Sequence, residues 1–316
     1  MQDVSRPRIA FTMGDPAGIG PELLVRSLDQ ITAICSPVLF GPAALLDAAA
    51  RHEGISTDRF PVELVEIETE FRSIPAHICA ENGAFVVAAV REAVSACMSG
   101  ACEALVTGPI SKKAMSMAGF AYPGHTEMLA EFAGVNRTMM LFYSPAFSVV
   151  LHTIHVPLRA VPEEMHADVL VDRMRFAWQR YSQLAGIRPK FRVCGVNPHA
   201  GEQGRLGLED REIEKAVEQL KSEGLPISGP FPADTLFARL PADGSCLVYA
   251  MYHDQGLIPI KTLYPHQCVN MTLGLPFLRA SVSHGTAFDI AWKHRADTRN
   301  FTETVRTAGA FLRRKT

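Results

Sequence analysis

Cys246-Leu-Val-Tyr-Ala-Met-Tyr-His-Asp-Gln-Gly-Leu-Ile-Pro-Ile-Lys261 is an apolar run that ends in a histidine, a carboxylate and an amide. Its first seven residues read as a buried strand, the chain is expected to turn on Gly256, and a cation follows at Lys261. A strand that stops at His-Asp-Gln-Gly delivers its polar groups to the carboxyl edge of a sheet, where open α/β sheets bind ligands. The plainer reading is a solvated strand end. Two other runs have the same shape. Phe191-Arg-Val-Cys-Gly-Val196 leads into Asn197-Pro-His199-Ala-Gly-Glu202, and Phe147–Leu151 leads into His152-Thr-Ile-His155-Val-Pro157. Residues three apart on a strand point to opposite faces, so His152 and His155 cannot share one ion there, and His155, beside the break at Pro157, is the better ligand. His155, His199 and His253 thus form an expected ligand set for a divalent ion with open positions. Neutral imidazoles would leave that ion its full double charge.

Around these runs, strands and helices alternate. Arg8–Met13 is a short apolar strand followed by Gly14-Asp-Pro-Ala-Gly-Ile-Gly-Pro-Glu22, where a proline and an acid open a helix. Gly14, Gly18 and Gly20 imitate a dinucleotide fingerprint. Two prolines interrupt it and no acid ends a clear second strand, so a structural turn is expected. Pro37–Phe40 and Ala104–Thr107 read as further strands. Asn82 is expected to cap a helix with Val86, Val90, Val94 and Cys97 on one face. Helices are also expected over about 163–184, 209–223 and 302–313. This alternation argues for a largely parallel, doubly wound α/β sheet.

Polar residues gather at the loops. His125 and Thr126 stand at the start of a helix, a position that suits an anion, although Thr126 can equally be a simple cap. Asp234 can orient a ligand histidine or a cation, or cap the next turn. Lys261 and Arg279 are suited to the two ends of a doubly anionic substrate. His284-Gly285, at a loop-to-helix junction, can contact a nucleotide.

The 316 residues are long enough for about two domains. Lys plus Arg (31) nearly balance Asp plus Glu (33), so no overall field draws nucleic acid or an anionic membrane. Seven cysteines without a Cys-x-x-Cys pair give no zinc ribbon or redox motif. Met1–Arg8 has no apolar signal core and no stretch approaches a membrane span, so a cytoplasmic location is expected.

Taken together and in order, these segments resemble the 4-hydroxythreonine-4-phosphate dehydrogenase family of vitamin B6 biosynthesis. The matching text is Gly14–Glu22, Thr107-Gly-Pro109, Gly124-His-Thr-Glu127, His155-Val-Pro-Leu-Arg159, Asn197–Glu202, Pro232–Phe237, Tyr252–Gly256 and Val269–Ala287. The resemblance covers nearly the whole chain apart from about 52–80. It implies a fold like that of the isocitrate and isopropylmalate dehydrogenases: two α/β domains with a cleft between them, the first over 1–120 plus 284–316 and the second over 121–283. It implies a homodimer with the active site at the subunit interface, and NAD or NADP with a divalent metal (Zn, Mg, Co, Mn or Ni). His155, His199 and His253 match the family's metal positions; His125, Thr126, Lys261, Asn270 and Arg279 match its substrate positions. The segment with His284, Gly285 and Asp289 resembles the loop that holds the adenosine end of the cofactor. Two departures stand out. Trp292-Lys293-His294 replaces the usual Gly-Lys-Gly, and Ala160 replaces a frequent acid.

The expected reaction is oxidation, with decarboxylation, of 4-phosphohydroxy-L-threonine to 3-amino-2-oxopropyl phosphate, with Lys261 and Asp234 as catalytic residues. The alternative is a 3-dehydrogenase for 4-phospho-D-erythronate or D-threonate. More remote are a cis-diol dehydrogenase, a metal-dependent hydrolase and a non-catalytic metabolite-binding relative.

Overall fold

A computed structural model describes residues 6–314; Met1–Ser5, the start of the N-terminal text read above, and Lys315–Thr316 lie outside the described residues. The strands in chain order are β1 (Arg8–Thr12), β2 (Ser36–Phe40), β3 (Glu63–Val65), β4 (Ala104–Thr107), β5 (Met139–Tyr143), β6 (Phe147–Leu151), β7 (Lys190–Cys194), β8 (Ile227–Phe231), β9 (Cys246–Ala250), β10 (Val269–Leu273) and β11 (Leu278–Ser281). The helices are α1 (Gly20–Arg26), α2 (Leu28–Ile34), α3 (Ala43–Glu53), α4 (Ala80–Met98), α5 (Lys112–Met117), α6 (His125–Phe132), α7 (Ala167–Ala185), α8 (Glu209–Ser222), α9 (Ala233–Leu236), α10 (His253–Leu263) and α11 (Arg299–Arg313). No helix among the described residues is long and apolar enough to cross a membrane.

The chain divides into two compact units, Met1–Thr138 with Val269–Thr316, and Met139–Cys268. The sequence reading draws its boundaries instead at 120/121 and 283/284. Two features move residues 121–138 and 269–283 into the first unit. α6 packs against α4, and β11 pairs in parallel with β4, carrying its antiparallel neighbour β10 with it.

The first unit has strand order β3-β2-β1-β4-β11-β10, parallel except for β10. α4 lies over this sheet with Val86, Val90, Val94 and Cys97 buried, the helical stripe expected from their spacing. Each such valine contributes about 1.5–3 kcal/mol of burial. Asn82 does not cap the helix. Cys79 holds the cap position, and Asn82 sits buried in the first turn, bonding both Arg72 backbone groups and the Asp15 carboxylate. A side chain with two donors and an acceptor has more to satisfy inside this junction than at its edge.

The second unit has strand order β5-β6-β9-β7-β8. β5 and β6 form an antiparallel hairpin, and β6, β9, β7 and β8 run parallel. Its core gathers Phe142, Phe147, Val149, Leu151, Val248 and Leu257. Gly256 proves to be no turn. The chain enters α10 directly at His253, and Gly256 is buried within that helix, where a Cβ would stand 2.7 Å from Val149 Cγ1 and 2.8 Å from Leu151 Cδ2. The glycine lets the helix lie close on β6. α7 starts at Ala167, later than expected, because Pro162–Glu164 form a separate 3₁₀ turn.

Candidate active site

In the second unit, β6, β9 and β7 are adjacent and parallel, and the chain leaving their carboxyl ends carries His155, His253 and His199 respectively. His155 and His253 come together, with ring centroids 6.0 Å apart, and both line a cleft of about 320 Å³ with Thr153, Tyr252 and Asp254. Two imidazoles sharing one ion through N–metal bonds of about 2.1 Å hold their centroids about 5–6 Å apart, so this pair fits a metal. His253 Nδ1 lies 2.7 Å from Asp254 Oδ1, which fixes the ring and leaves Nε2 for a ligand.

His199 stands in a rarer setting. His199, Ala200, Glu202 and Gln203 all have positive φ (53°, 52°, 45° and 60°), with Gly201 between them at 76°. Left-handed backbone costs roughly 1–2 kcal/mol per non-glycine residue. Asp210, missed by sequence reasoning, anchors the approach to this turn. Its buried carboxylate accepts from Val196 N at 2.9 Å, Asn197 N at 3.1 Å and Asn197 Nδ2 at 2.9 Å. Gln255, read from the sequence only as part of the polar strand end, ties two of the strand ends together, donating to Gly195 O and accepting from Met251 N, both at 2.7 Å.

His152 is held by contacts inside the second unit. It is buried, with Nδ1 2.8 Å from Tyr249 Oη and Nε2 3.1 Å from Glu164 O. Burial, helped by the Arg173 charge, holds its imidazole down to about 4. Lys261 lies on α10 two turns beyond His253, its ammonium 5.5 Å from the Phe142 ring centroid, and shares a surface groove with His253 and Asp254. Asp234 is exposed in the first turn of α9, where Pro232 takes the cap position.

The first unit contains a buried cationic group. Arg279 on β11 is 1% exposed, donating from Nη2 to Thr107 Oγ1 at 2.7 Å and from Nη1 to Thr272 Oγ1 at 3.3 Å. Its Nε has no hydrogen-bond partner. Burial pulls the guanidinium down to about 9. His125, at the N-terminus of α6, is held well below its ordinary value by burial and then by the Arg279 charge. His125 Nε2 and Asn270 Oδ1 are also buried without partners, and Thr126 is buried beside His125 in the helix. A desolvated cation, an unmatched imidazole and a helix N-terminus together make a place for an anion. The structure thus puts His125, Thr126, Asn270 and Arg279 in the first unit, whereas the sequence reading grouped them with the metal histidines.

The loop read as the cofactor contact is fastened to the glycine-rich turn. Ile19 N donates to Thr286 O at 3.0 Å, and Trp292 Nε1 donates to Pro16 O at 3.0 Å. The turn's glycines answer to packing: a Cβ at Gly20 would lie 1.9 Å from Met13 O, and at Gly14 2.3 Å from Pro109 O. His284 and Gly285 are exposed, and nothing lies within 4 Å of a Cβ built on Gly285, so the loop has an open face. Asp289 is exposed, and its carbonyl accepts from Lys293 Nζ at 2.8 Å. Trp292 and His294 hold φ of 58° and 56°, a backbone that glycine adopts without strain.

Largely parallel α/β units, one with histidines at adjacent strand ends and the other with a buried arginine, define an α/β enzyme of the dehydrogenase class. A family model described as "Pyridoxal phosphate biosynthetic protein PdxA" matches residues 33–308. A 4-hydroxythreonine-4-phosphate dehydrogenase from Ruegeria sp. is 42% identical over 315 residues, covering 95% of each chain. The chain belongs to the PdxA family. A relative from Symbiobacterium thermophilum named "Putative D-threonate 4-phosphate dehydrogenase" is 35% identical over 97% of each chain. The crystal structure of 4-hydroxythreonine-4-phosphate dehydrogenase from Klebsiella pneumoniae is similar with a TM-score of 0.84 and 34% identity, over 96% of this chain and 99% of that one.

Proposed function

We propose that this protein catalyses NAD(P)- and divalent-metal-dependent oxidation of 4-phosphohydroxy-L-threonine, with decarboxylation, to 3-amino-2-oxopropyl phosphate in pyridoxal phosphate biosynthesis. The observation that carries the chemistry is the delivery of His155, His253 and His199 to one edge of the second unit by three adjacent parallel strands. The names of the most similar relatives support the substrate. His155, His199 and His253 hold the ion, with Asp254 orienting His253. When bound, the ion supplies a Lewis acid for the C3 oxygen while the nicotinamide accepts hydride. Lys261 serves as charge partner or proton-transfer group, with Asp234 as a supporting acid. Arg279, His125, Thr126 and Asn270 take the substrate's anionic end, and His284, Gly285 and Asp289 the adenosine end of the cofactor.

We infer a homodimer assembled over the histidine face. Val156, Leu158, Leu206, Leu208 and Ile258, all close in sequence to a ligand histidine or on α10, are exposed apolar residues that such a partner would cover. Seven cysteines, all buried and none in a disulfide, support a reducing, cytoplasmic setting.

The second reading, oxidation of 4-phospho-D-threonate or its erythronate isomer, is favoured by the 35% identical relative. It keeps the fold, metal and phosphate residues and changes only the C2 substituent. Steady-state turnover with each of the three acids separates the two.

A further inference from the structure

Three residues of the first unit converge without a part in the proposed reaction. His52 and Glu53 end α3, and His294 lies in the loop before α11. One donor atom from each lies within 4.8 Å of the other two. Glu53 Oε1 is 3.4 Å from His294 Nδ1 and 3.9 Å from His52 Nε2; Glu22 Oε1, from the first turn of α1, is also 3.9 Å from His52 Nε2.

The two carboxylates are unusual in their burial. The Glu22 side chain is 0% exposed and that of Glu53 7%. Glu22 Oε2 accepts from Trp292 N at 2.6 Å, but Glu22 Oε1, Glu53 Oε1 and His52 Nε2 are buried with no hydrogen-bond partner. Arg26 approaches only the other Glu53 oxygen, at 3.7 Å, and spends a second nitrogen on Ala296 O. Burial, with Glu53 as a neighbour, pushes the Glu22 carboxyl up. Two buried carboxylates facing two imidazoles therefore leave negative charge that one arginine only partly offsets.

We propose that His52, Glu53 and His294 form a second divalent-cation site, with the Glu22 carboxylate beside His52, built from different residues than the His155–His199–His253 set. Donors around a tetrahedral ion with bonds of about 2.0–2.1 Å sit about 3.4 Å from one another, near the 3.4–3.9 Å separations seen here. Two nitrogens and a carboxylate oxygen select a borderline ion such as zinc or cobalt over magnesium or calcium. The His52 and His294 rings stack at 4.0 Å, 3° from parallel, and must tilt apart to aim both lone pairs at one ion. His294, 58% exposed, has the room, and imidazole χ2 is a soft torsion. The strained backbone supports the same purpose. Positive φ at Trp292 and His294 turns the Trp292 amide onto Glu22 and brings His294 to Glu53. An ion there would pin α1, α3 and the 291–296 segment together, just after the loop assigned to the cofactor.

The test uses the full chain, stripped with chelator, in which His155→Ala and His253→Ala together disable the other ligand set. Cobalt(II) is titrated while its visible d–d absorption and calorimetric heat are followed. The expected result is about one ion per chain in this background. Adding Glu53→Gln should abolish binding, and adding His294→Gly, which suits the left-handed backbone and an exposed position, should weaken it at least ten-fold with folding retained. No cobalt uptake in the background overturns the site, as does uptake unchanged by His294→Gly. Proton uptake by the cluster without cobalt binding also overturns it and identifies a proton-bridged imidazole–carboxylate pair instead. The wild-type stoichiometry minus that of the background reads the His155 set separately, so either site can fail alone.

Discussion

Replacing Arg279 with methionine separates the stability of the empty protein from its hold on the substrate. Burial pulls the guanidinium far below its ordinary value, to about 9. That displacement, at about 1.4 kcal/mol per pH unit, puts the cost of keeping the charge at about 5 kcal/mol as an upper bound. Methionine removes that cost with similar volume. It also forfeits the bonds to Thr107 and Thr272, whose buried hydroxyls then cost about 1–1.5 kcal/mol each. The net expectation for Arg279→Met without ligand is a gain of about 2 kcal/mol, or roughly 4 °C in melting temperature. Inorganic phosphate is the probe for the anion site. At a hundred times its dissociation constant it stabilises the wild type by about 2.7 kcal/mol and should leave the variant unmoved. The pH dependence has a definite sign. The folded guanidinium loses its proton before the unfolded one, so from about pH 9 upward the unfolded chain binds more protons. Wild-type stability should therefore rise with pH in that window relative to the variant. Denaturant melts with and without phosphate measure all three quantities. A phosphate-free variant destabilised by more than about 2 kcal/mol, or one still stabilised by phosphate, would refute the reasoning.

Further substitutions test other parts of the account. His253→Ala should lower metal-dependent turnover about 100-fold or more while melting in chelator shifts by less than about 1 kcal/mol, because the side chain is 39% exposed. His152, held down to about 4, stays neutral in the folded state while the unfolded chain takes up a proton near pH 6.5. Wild type should thus lose about 3 kcal/mol relative to His152→Phe as pH falls from 7 to 4, read from paired melts across that range. Gly20→Ala sets a Cβ 1.9 Å from Met13 O and should cost about 3 kcal/mol or more in urea melts. Gly285→Ala meets nothing within 4 Å and should keep stability within about 0.5 kcal/mol while raising the cofactor KM several-fold.

The placement of the histidines in the second unit was readable because strand and histidine are nearly contiguous there: an apolar run followed by His155, His199 or His253 states both the element and its exit. Gly256 was misread because the same text, strand then His-Asp-Gln-Gly, fits a turn or a helix start equally well. Only the packing of α10 on Val149 and Leu151 decides it. Asn82 looked like a cap because short polar residues favour caps, but its partners Arg72 and Asp15 are chosen by tertiary contacts. Asp210 carried no local signal and Gln255 only that of a polar strand end, since their work is to hold backbone groups of other segments. The His52–Glu53–His294 cluster joins residues some 240 positions apart. Periodicity cannot reach across that distance, although Trp292 and His294, standing where glycine is usual, marked one side of it.

The most direct test of the central claim is reduced-nicotinamide formation by metal-loaded protein. Each phosphorylated acid is offered with NAD and then NADP, with and without chelator. The account predicts chelator-sensitive turnover that prefers 4-phosphohydroxy-L-threonine. Absence of nicotinamide reduction with all three acids would contradict it.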